Sequence, residues 1–208
     1  IEGVEGSGKS TLIARLGRYF AAQGREVVLT REPGGTKLGI AIRQILLDRG
    51  NTELSARAEL LLFAADRAQH VSELIKPALK RGAVVLSDRF IHSTLAYQGF
   101  GRELSLELLK NLNQIATEGL CPDVVLLLDI DPQEGLLRVS GRSAYDHAAS
   151  WNRFEDQELT FHQKVREGYL QLAASAEEKI AVLDALLSPN ELETKAIAVL
   201  KSRGILGK

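Results

Sequence analysis

Gly3-Val4-Glu5-Gly6-Ser7-Gly8-Lys9-Ser10 fits the pattern G-x-x-x-x-G-K-[ST], the spacing of a loop that wraps a polyphosphate. The chemistry demands this composition. A chain that bends round a dense anion must bring several backbone N–H groups close to it. Gly3, Gly6 and Gly8 allow positive φ and put no Cβ in the way. Lys9 adds a mobile cation, and Ser10 offers a hydroxyl to a divalent metal. A helix should start here and aim its positive end at the phosphates. Leu12, Ile13, Leu16, Tyr19 and Phe20 supply its apolar stripe, and Gly24 stands where a C-terminal cap belongs. A chance glycine-rich turn would lack that context.

Other chemistry-bearing residues are spread along the chain. Asp88 closes the apolar run Val84-Val85-Leu86-Ser87. An acid there can hold a Mg²⁺ shell; the competing reading is a helix cap or an ion pair with Arg89. Arg89 can fork across two phosphoryl oxygens, or serve a surface ion pair. Phe63 and Arg67 lie four residues apart, on one helix face. Together they could cradle a planar base, although an aromatic on a helix is more often core. Asp66 reads as the orienting partner of a neighbouring arginine. His70, His92, His147 and His162 have no metal-ligand spacing and are assigned no catalysis. The lone Cys121 excludes an internal disulfide and is expected to be a small buried thiol.

The elements that must position these residues follow a regular alternation. Strands are expected at Val27–Thr30, Ala83–Ser87, Val124–Asp129 and Ile180–Leu183. Helical patterns lie between them, which predicts an α/β fold with a parallel sheet covered on both faces. Ser55 caps a long helix that Pro77 should bend or end. Ser105 starts another, with Leu108, Leu109 and Leu112 inward. Asp131-Pro132-Gln133-Glu134 and Ser188-Pro189-Asn190-Glu191 both read as capped helix starts. Gly141 to Asn152 breaks the regularity. It is polar, with Arg138, Arg142 and Arg153 in or beside it, and reads as a solvated loop or a lid. Ligands of open α/β sheets bind beyond the strands' carboxyl ends, and the phosphate loop, the Arg31 loop and Asp88-Arg89 all fall there.

The chain has 208 residues, 45% apolar and 25% charged, with a formal net charge of −1. That suits a single α/β domain over 1–208 and supplies no global basic field for nucleic acid or membrane. No apolar run reaches the ~18 residues of a membrane span, and no signal peptide is visible, so a cytoplasmic protein is expected. There is no Met, and only Ile1 and Glu2 precede the loop. A few N-terminal residues are therefore expected to be missing from the sequence.

Four blocks together resemble the bacterial thymidylate kinase family, within the nucleoside monophosphate kinases. They are Glu2 to Thr11, Thr30-Arg31-Glu32-Pro33-Gly34-Gly35-Thr36, Leu62-Phe63-Ala64-Ala65-Asp66-Arg67, and Asp88-Arg89-Phe90 followed by Ser93-Thr94 and Ala96-Tyr97-Gln98-Gly99. The resemblance implies a P-loop NTPase fold, three-layered, with a five-stranded parallel sheet and a lid at about 138–155. It implies transfer of the ATP γ-phosphate to dTMP with Mg²⁺, in a homodimer. It assigns ATP to Gly3, Val4, Glu5, Gly6, Ser7, Gly8, Lys9, Ser10 and Thr11, and the metal to Ser10 and Asp88. Glu5 would face the acceptor sugar, and Arg43 and Arg89 would grip its phosphate. Phe63 would stack on thymine, and Arg67 would bond its carbonyl edge near Ser93, Thr94 and Gln98. Tyr97 would pack beneath the deoxyribose, with Tyr169 near the lid. The loop carries no arginine, so the lid should supply one. Arg138, Arg142 and Arg153 are the candidates, with Arg142 and Arg153 given catalytic roles beside Lys9, Asp88 and Arg89. Two features depart from the family pattern: Asn152-Arg153-Phe154-Glu155 replaces D-R-F-E, and Ser143 to Ser150 is longer and less basic than expected.

Two rival readings remain at this level. One is a kinase for another small acceptor, which shares the loop, Asp88 and lid. The other is a nucleotide-dependent switch or assembly ATPase, which would need an arrangement for positioning water that the sequence does not display.

Overall fold

Two pairs of parallel strands carry the architecture. In the computed structural model, which describes residues 1–143, 152–175 and 179–205, β1 (Val27–Arg31) pairs with β2 (Val84–Asp88). β3 (Val125–Asp129) pairs with β4 (Ile180–Asp184). Ile1 and Glu2 bridge the pairs. The Ile1 amine donates to Ser87 O at 2.8 Å, and Arg89 N–H donates to Ile1 O at 2.9 Å. On the other side Glu2 N–H reaches Leu126 O, and Leu128 N–H reaches Glu2 O, both at 2.9 Å. The order is therefore β1, β2, residues 1–2, β3, β4, all parallel. Described residues form four strands and a two-residue bridge rather than five strands, because a ladder needs several consecutive partners and the chain turns into the phosphate loop at Gly3.

All four residues Val125 to Leu128 are buried, which requires cover on both faces of β3. On one side α1 (Lys9–Ala22) packs against β1 and β2 and against α9 (Pro189–Ser202). Gly17 makes this possible: a Cβ there would sit 2.9 Å from the Leu29 side chain. The α9 start has a full capping box between Ser188 and Glu191. On the other side α8 (Leu159–Ala174) packs against β3, β4 and residues 95–101. Between the strands run α2 (Lys37–Leu47), α3 (Ala56–His70), α4 (Lys76–Lys80), α5 (Ile91–Thr94), α6 (Leu106–Thr117) and α7 (Pro132–Ser143). The Thr36, Ser55 and Ser105 side chains cap α2, α3 and α6.

Three local expectations are corrected. Of the two outcomes expected at Pro77, a bend or an end, the end does not occur. The helical path continues through a wider turn at Val71–Ile75, where Lys76 N–H reaches back five residues to Val71 O, and into α4, so the chain accommodates Pro77 next to that wide turn. Leu108 is 50% exposed, because Leu109, Asn113 and Ala116 form the buried stripe of α6 and Leu108 stands a 100° step away. Cys121 is exposed, in the loop before β3. Of the segment expected to be a lid, residues 141–143 complete α7, and 144–151 lie outside the described residues.

Candidate active site

The phosphate loop joins the bridge at Glu2 to α1, and its glycines are required by close approach. Gly3 has φ 137°, and a Cβ there would come 2.5 Å from Leu128 O. Gly6 has φ 71°, and a Cβ would collide with the Gly135 backbone at the start of α7. Val4 is buried in the core, and Ser7 braces the loop from within by donating to Val4 O at 2.8 Å. Lys9 turns back into the loop, donating to Gly3 O at 3.0 Å and Val4 O at 2.8 Å. Burial, then the nearby Arg89 charge, lowers its ammonium to about 8. Ser10 Oγ donates to Asp88 Oδ2 at 3.1 Å, across 78 residues of chain. Thr11 is exposed on the first turn of α1.

No group of three or more His, Cys, Asp or Glu side chains among the described residues is arranged to hold a metal. The Ser10 hydroxyl and Asp88 carboxylate nevertheless offer adjacent hard oxygens on the cavity wall, the donor set that suits Mg²⁺ carried in with phosphates.

Beside the loop opens a cavity of about 280 Å³. Its floor is built on Arg89, a non-glycine residue at φ 71° just past β2. The guanidinium stacks over the Tyr97 ring at 4.7 Å. It donates to Glu5 Oε1 at 3.0 Å, Tyr97 OH at 2.9 Å, Ser93 Oγ at 3.2 Å and Tyr169 OH at 3.3 Å. Tyr97 OH also donates to Glu5 Oε1, at 2.7 Å. Burial pushes the Tyr97 and Tyr169 phenols well up, so both stay protonated donors. Burial works against the Glu5 charge, but His162, Arg89 and Lys9 outweigh it and hold the carboxyl below its usual range. Glu5 Oε2 lies 3.3 Å from His162 Nδ1 without forming a hydrogen bond.

Phe63, Arg67, Thr94 and Gln98 also line the cavity, and Arg43 lines it beside Pro33. Arg43 Nη1 donates to Pro33 O at 2.9 Å, which ties it to the loop after β1. Phe63 is half-buried and faces Phe154 at 6.0 Å. Arg67 is 1% exposed and held by Glu32, Thr94, Asn113 and Phe90 O. Asp66 is not the arginine's partner: its Oδ1 accepts from Gly34 N–H at 3.0 Å, and Glu32 takes Arg67 instead.

Two more expectations change. Tyr169 is 1% exposed and stands behind Arg89 and Ser93, donating to Glu2 Oε2 at 2.7 Å rather than lining the cavity. Arg153 is 8% exposed and does not line the cavity beside the phosphate loop. It donates to Glu59 Oε2 at 2.6 Å and Leu46 O at 3.0 Å and stacks on Phe154. A guanidinium spent on a buried carboxylate ties residue 153 to α2 and α3 and is not a free charge. Arg138 Nη1 donates to Ala185 O at 3.0 Å. The Arg142 side chain lies outside the described residues.

The sequence reading overlooked several residues that shape this site. Glu2 is buried at 1% exposure and accepts from Phe90 N–H, Ser93 and Tyr169. Phe154 packs between Phe63 and Tyr97. Glu155 lines the cavity, and burial raises its carboxyl. Acids inside otherwise apolar or glycine-rich blocks, such as Glu2 and Glu32, were the available signal.

A phosphate loop leading into a helix, an acid at the end of β2 and an arginine-floored cavity alongside define a P-loop phosphotransferase. A family model described as thymidylate kinase matches residues 1–196. A thymidylate kinase from Oleidesulfovibrio alaskensis is 49% identical over 192 residues, 92% of this chain and 91% of that protein. One from Solidesulfovibrio magneticus is 52% identical over 190 residues, 91% of each chain. The crystal structure of thymidylate kinase from Ehrlichia chaffeensis superposes with a TM-score of 0.76 at 31% identity, covering 96% of this chain and 95% of that one. The chain belongs to the thymidylate kinase family.

Proposed function

We infer that this enzyme moves the γ-phosphate of ATP to dTMP, giving dTDP. The observation that supports the acceptor side is the cavity itself: one lining brings Arg89, tied to Glu5 of the phosphate loop, together with Phe63 and Arg67 of α3. That combination of charge and ring suits a nucleoside monophosphate lying with its phosphate toward Lys9.

The attacking atom is an ionised phosphate oxygen at neutral pH, since the second pKa of a phosphate monoester is about 6. No strong base is needed. The demand is electrostatic: two polyanions must meet, and charge on the moving phosphoryl must be neutralised. Lys9 leaves the loop carbonyls for the β- and γ-phosphates, and Gly3 to Thr11 cradle the rest of the chain. Arg89 and Arg43 take the acceptor phosphate, and Ser93, Thr94 and Gln98 border its nucleoside. Glu5 and Tyr97 lie where the deoxyribose passes and fix the Arg89 plane. Ser10 and Asp88 hold Mg²⁺, which when bound neutralises phosphate charge. A lid over about 138–155 excludes water, with Arg142 or Arg138 as its cation; the Arg153 clamp leaves it the lesser candidate.

We also propose a five-stranded sheet in which Ile1 and Glu2 belong to the central strand, since they bond to β2 and β3 in parallel register. The whole of 1–208 acts as one cytoplasmic domain, without nucleic acid or membrane. Among the described residues, no helix is long and apolar enough to cross a membrane. A homodimer is supported by Leu61 on α3 and Leu108 and Ile115 on α6, all exposed on helices that pack together.

The deciding experiment is ADP release from Mg-ATP with dTMP, dUMP, dCMP, dGMP, AMP, shikimate or no acceptor. Turnover selective for dTMP is expected. Turnover without an acceptor would overturn the reading in favour of a switch or assembly ATPase. A second expectation concerns the ring. Phe63→Ala should raise KM for dTMP roughly 10-fold or more while kcat and KM for ATP change little, because stacking acts in ground and transition states alike. Steady-state kinetics with each substrate varied in turn will show it; an unchanged KM for dTMP returns Phe63 to a packing role.

A further inference from the structure

Arg67 has five N–H donors, and the protein occupies four of them. Nε donates to Glu32 Oε2 at 2.8 Å. Nη1 donates to Thr94 Oγ1 at 2.7 Å and Asn113 Oδ1 at 2.6 Å. Nη2 donates to Phe90 O at 3.0 Å. Among the described residues one Nη2–H is left, on a side chain that is 1% exposed and lines the cavity. The plane cannot turn without breaking several of these bonds at once.

Glu32 is the keystone of this arrangement. It is 3% exposed, and its second oxygen contacts His70 Nδ1 at 2.9 Å. A ring nitrogen facing a carboxylate carries a proton, so Nδ1–H donates. His70 Nε2 lies 2.7 Å from Thr30 Oγ1. Gly35 closes over the ring, since a Cβ there would sit 2.5 Å from it. The loop after β1 is thus tied to α3 at Asp66, Arg67 and His70, and the same loop holds Arg43 through Pro33 O. Nothing in the phosphoryl transfer uses Glu32, His70 or Asn113.

We propose that Glu32, seconded by Asn113, is a specificity-determining positioning residue: it locks Arg67 so that a single N–H faces the acceptor base. The proposal rests on the thymidylate reading above. A lone fixed donor pairs with a base that presents a carbonyl oxygen at the corresponding edge, as thymine and uracil do at C4. Cytosine presents an amino group there. Donor would meet donor, and a buried N–H would be left unpaired, the situation in which a hydrogen-bonding site rejects an analogue most strongly. A guanidinium free to rotate could move that N–H aside and would discriminate less.

The test compares kcat/KM for dTMP, dUMP and dCMP in the wild type, Glu32→Gln and Asn113→Ser. Glu32→Gln keeps the volume and an acceptor oxygen, and Asn113→Ser loosens the opposite side of the cage without removing the Glu32–Arg67 ion pair. In each, KM for dTMP should rise several-fold and the dTMP:dCMP ratio should fall by about 10-fold or more. KM for ATP should stay within about two-fold. The dTMP:dUMP ratio should not move, because these bases share the C4 carbonyl and differ only in the methyl group. That contrast separates positioning from general damage, which would lower all three acceptors together. A uniform loss, or an unchanged dTMP:dCMP ratio in both folded variants, overturns the proposal while leaving the thymidylate reading intact. A wild type with no preference for dTMP overturns both.

Discussion

Replacing Arg89 by alanine is expected to lower kcat/KM for dTMP by about 10³-fold, the largest loss of any acceptor-site change. The magnitude follows from what the guanidinium does. It is a partly buried cation beside the phosphate loop; in the proposed reading it stands where the two substrates meet, and removal of one such pre-organised charge donor costs about 10²–10³ in rate, before the loss of the grip proposed for it on the acceptor phosphate. Its removal also strips the Glu5 carboxylate and the Tyr97 hydroxyl of a shared partner. Part of the effect will therefore be positional, and the variant will be less stable. Backbone conformation offers a way to separate the two. Arg89 sits at φ 71°, a left-handed conformation that costs a residue with a Cβ about 1 kcal/mol or more and glycine almost nothing. Arg89→Gly should recover some thermal stability relative to Arg89→Ala yet be equally inactive. Steady-state kinetics beside thermal unfolding of both variants will decide. Retained activity in the glycine variant would mean that Arg89 serves the backbone rather than the phosphate.

Lys9→Ala should lower kcat/KM for ATP by about 10²–10³-fold, with dTMP binding little changed. The wild type adds a pH signature. In the free protein the ammonium is lowered to about 8 by burial and by Arg89. As pH rises through 8, the free enzyme loses this cation, and KM for ATP should climb. Bound polyphosphate favours the charged form, so kcat at saturating ATP should hold to higher pH. The stability sign runs the other way. Between about 8 and the ordinary lysine value of 10.5, the unfolded chain binds more protons than the native one. This group's contribution to stability therefore rises with pH across that window, and below it the cost of a buried charge is fully present. The alkaline limb in KM for ATP should be absent from Lys9→Ala. Its persistence there would assign it to another group.

These two residues differ in how visible they are in the sequence. Lys9 belongs to a contiguous motif whose backbone geometry is local, so its type and spacing suffice. The same holds for the helix caps at Ser55, Ser105 and Ser188, and for the strands, each recognised to within one residue at either end. Periodicity and capping act over a few residues, and at these caps and strands folding does not override them. Periodicity failed at Leu108, where neighbouring leucines left the inward face ambiguous until α6 packed on α3.

Which residue would meet which could not be read locally. Arg67 pairs with Glu32 across 35 residues, Arg153 with Glu59 across 94, and Tyr169 with Glu2 across 167. An arginine near a presumed lid looks the same in sequence whether it faces a phosphate or a buried carboxylate, and Arg153 faces the carboxylate. A cysteine before a strand looks buried until the loop turns it outward, as it does Cys121. The sequence by itself determined the α/β alternation, the phosphate loop and the family blocks that point to the reaction, because each is written in contiguous residues and short repeats. Only the tertiary structure decided which acids partner which arginines and which Arg67 donor is left without a partner among the described residues. Those choices depend on the packing of α3, α6 and α8 around the strand ends, where burial forces every charge to find a partner.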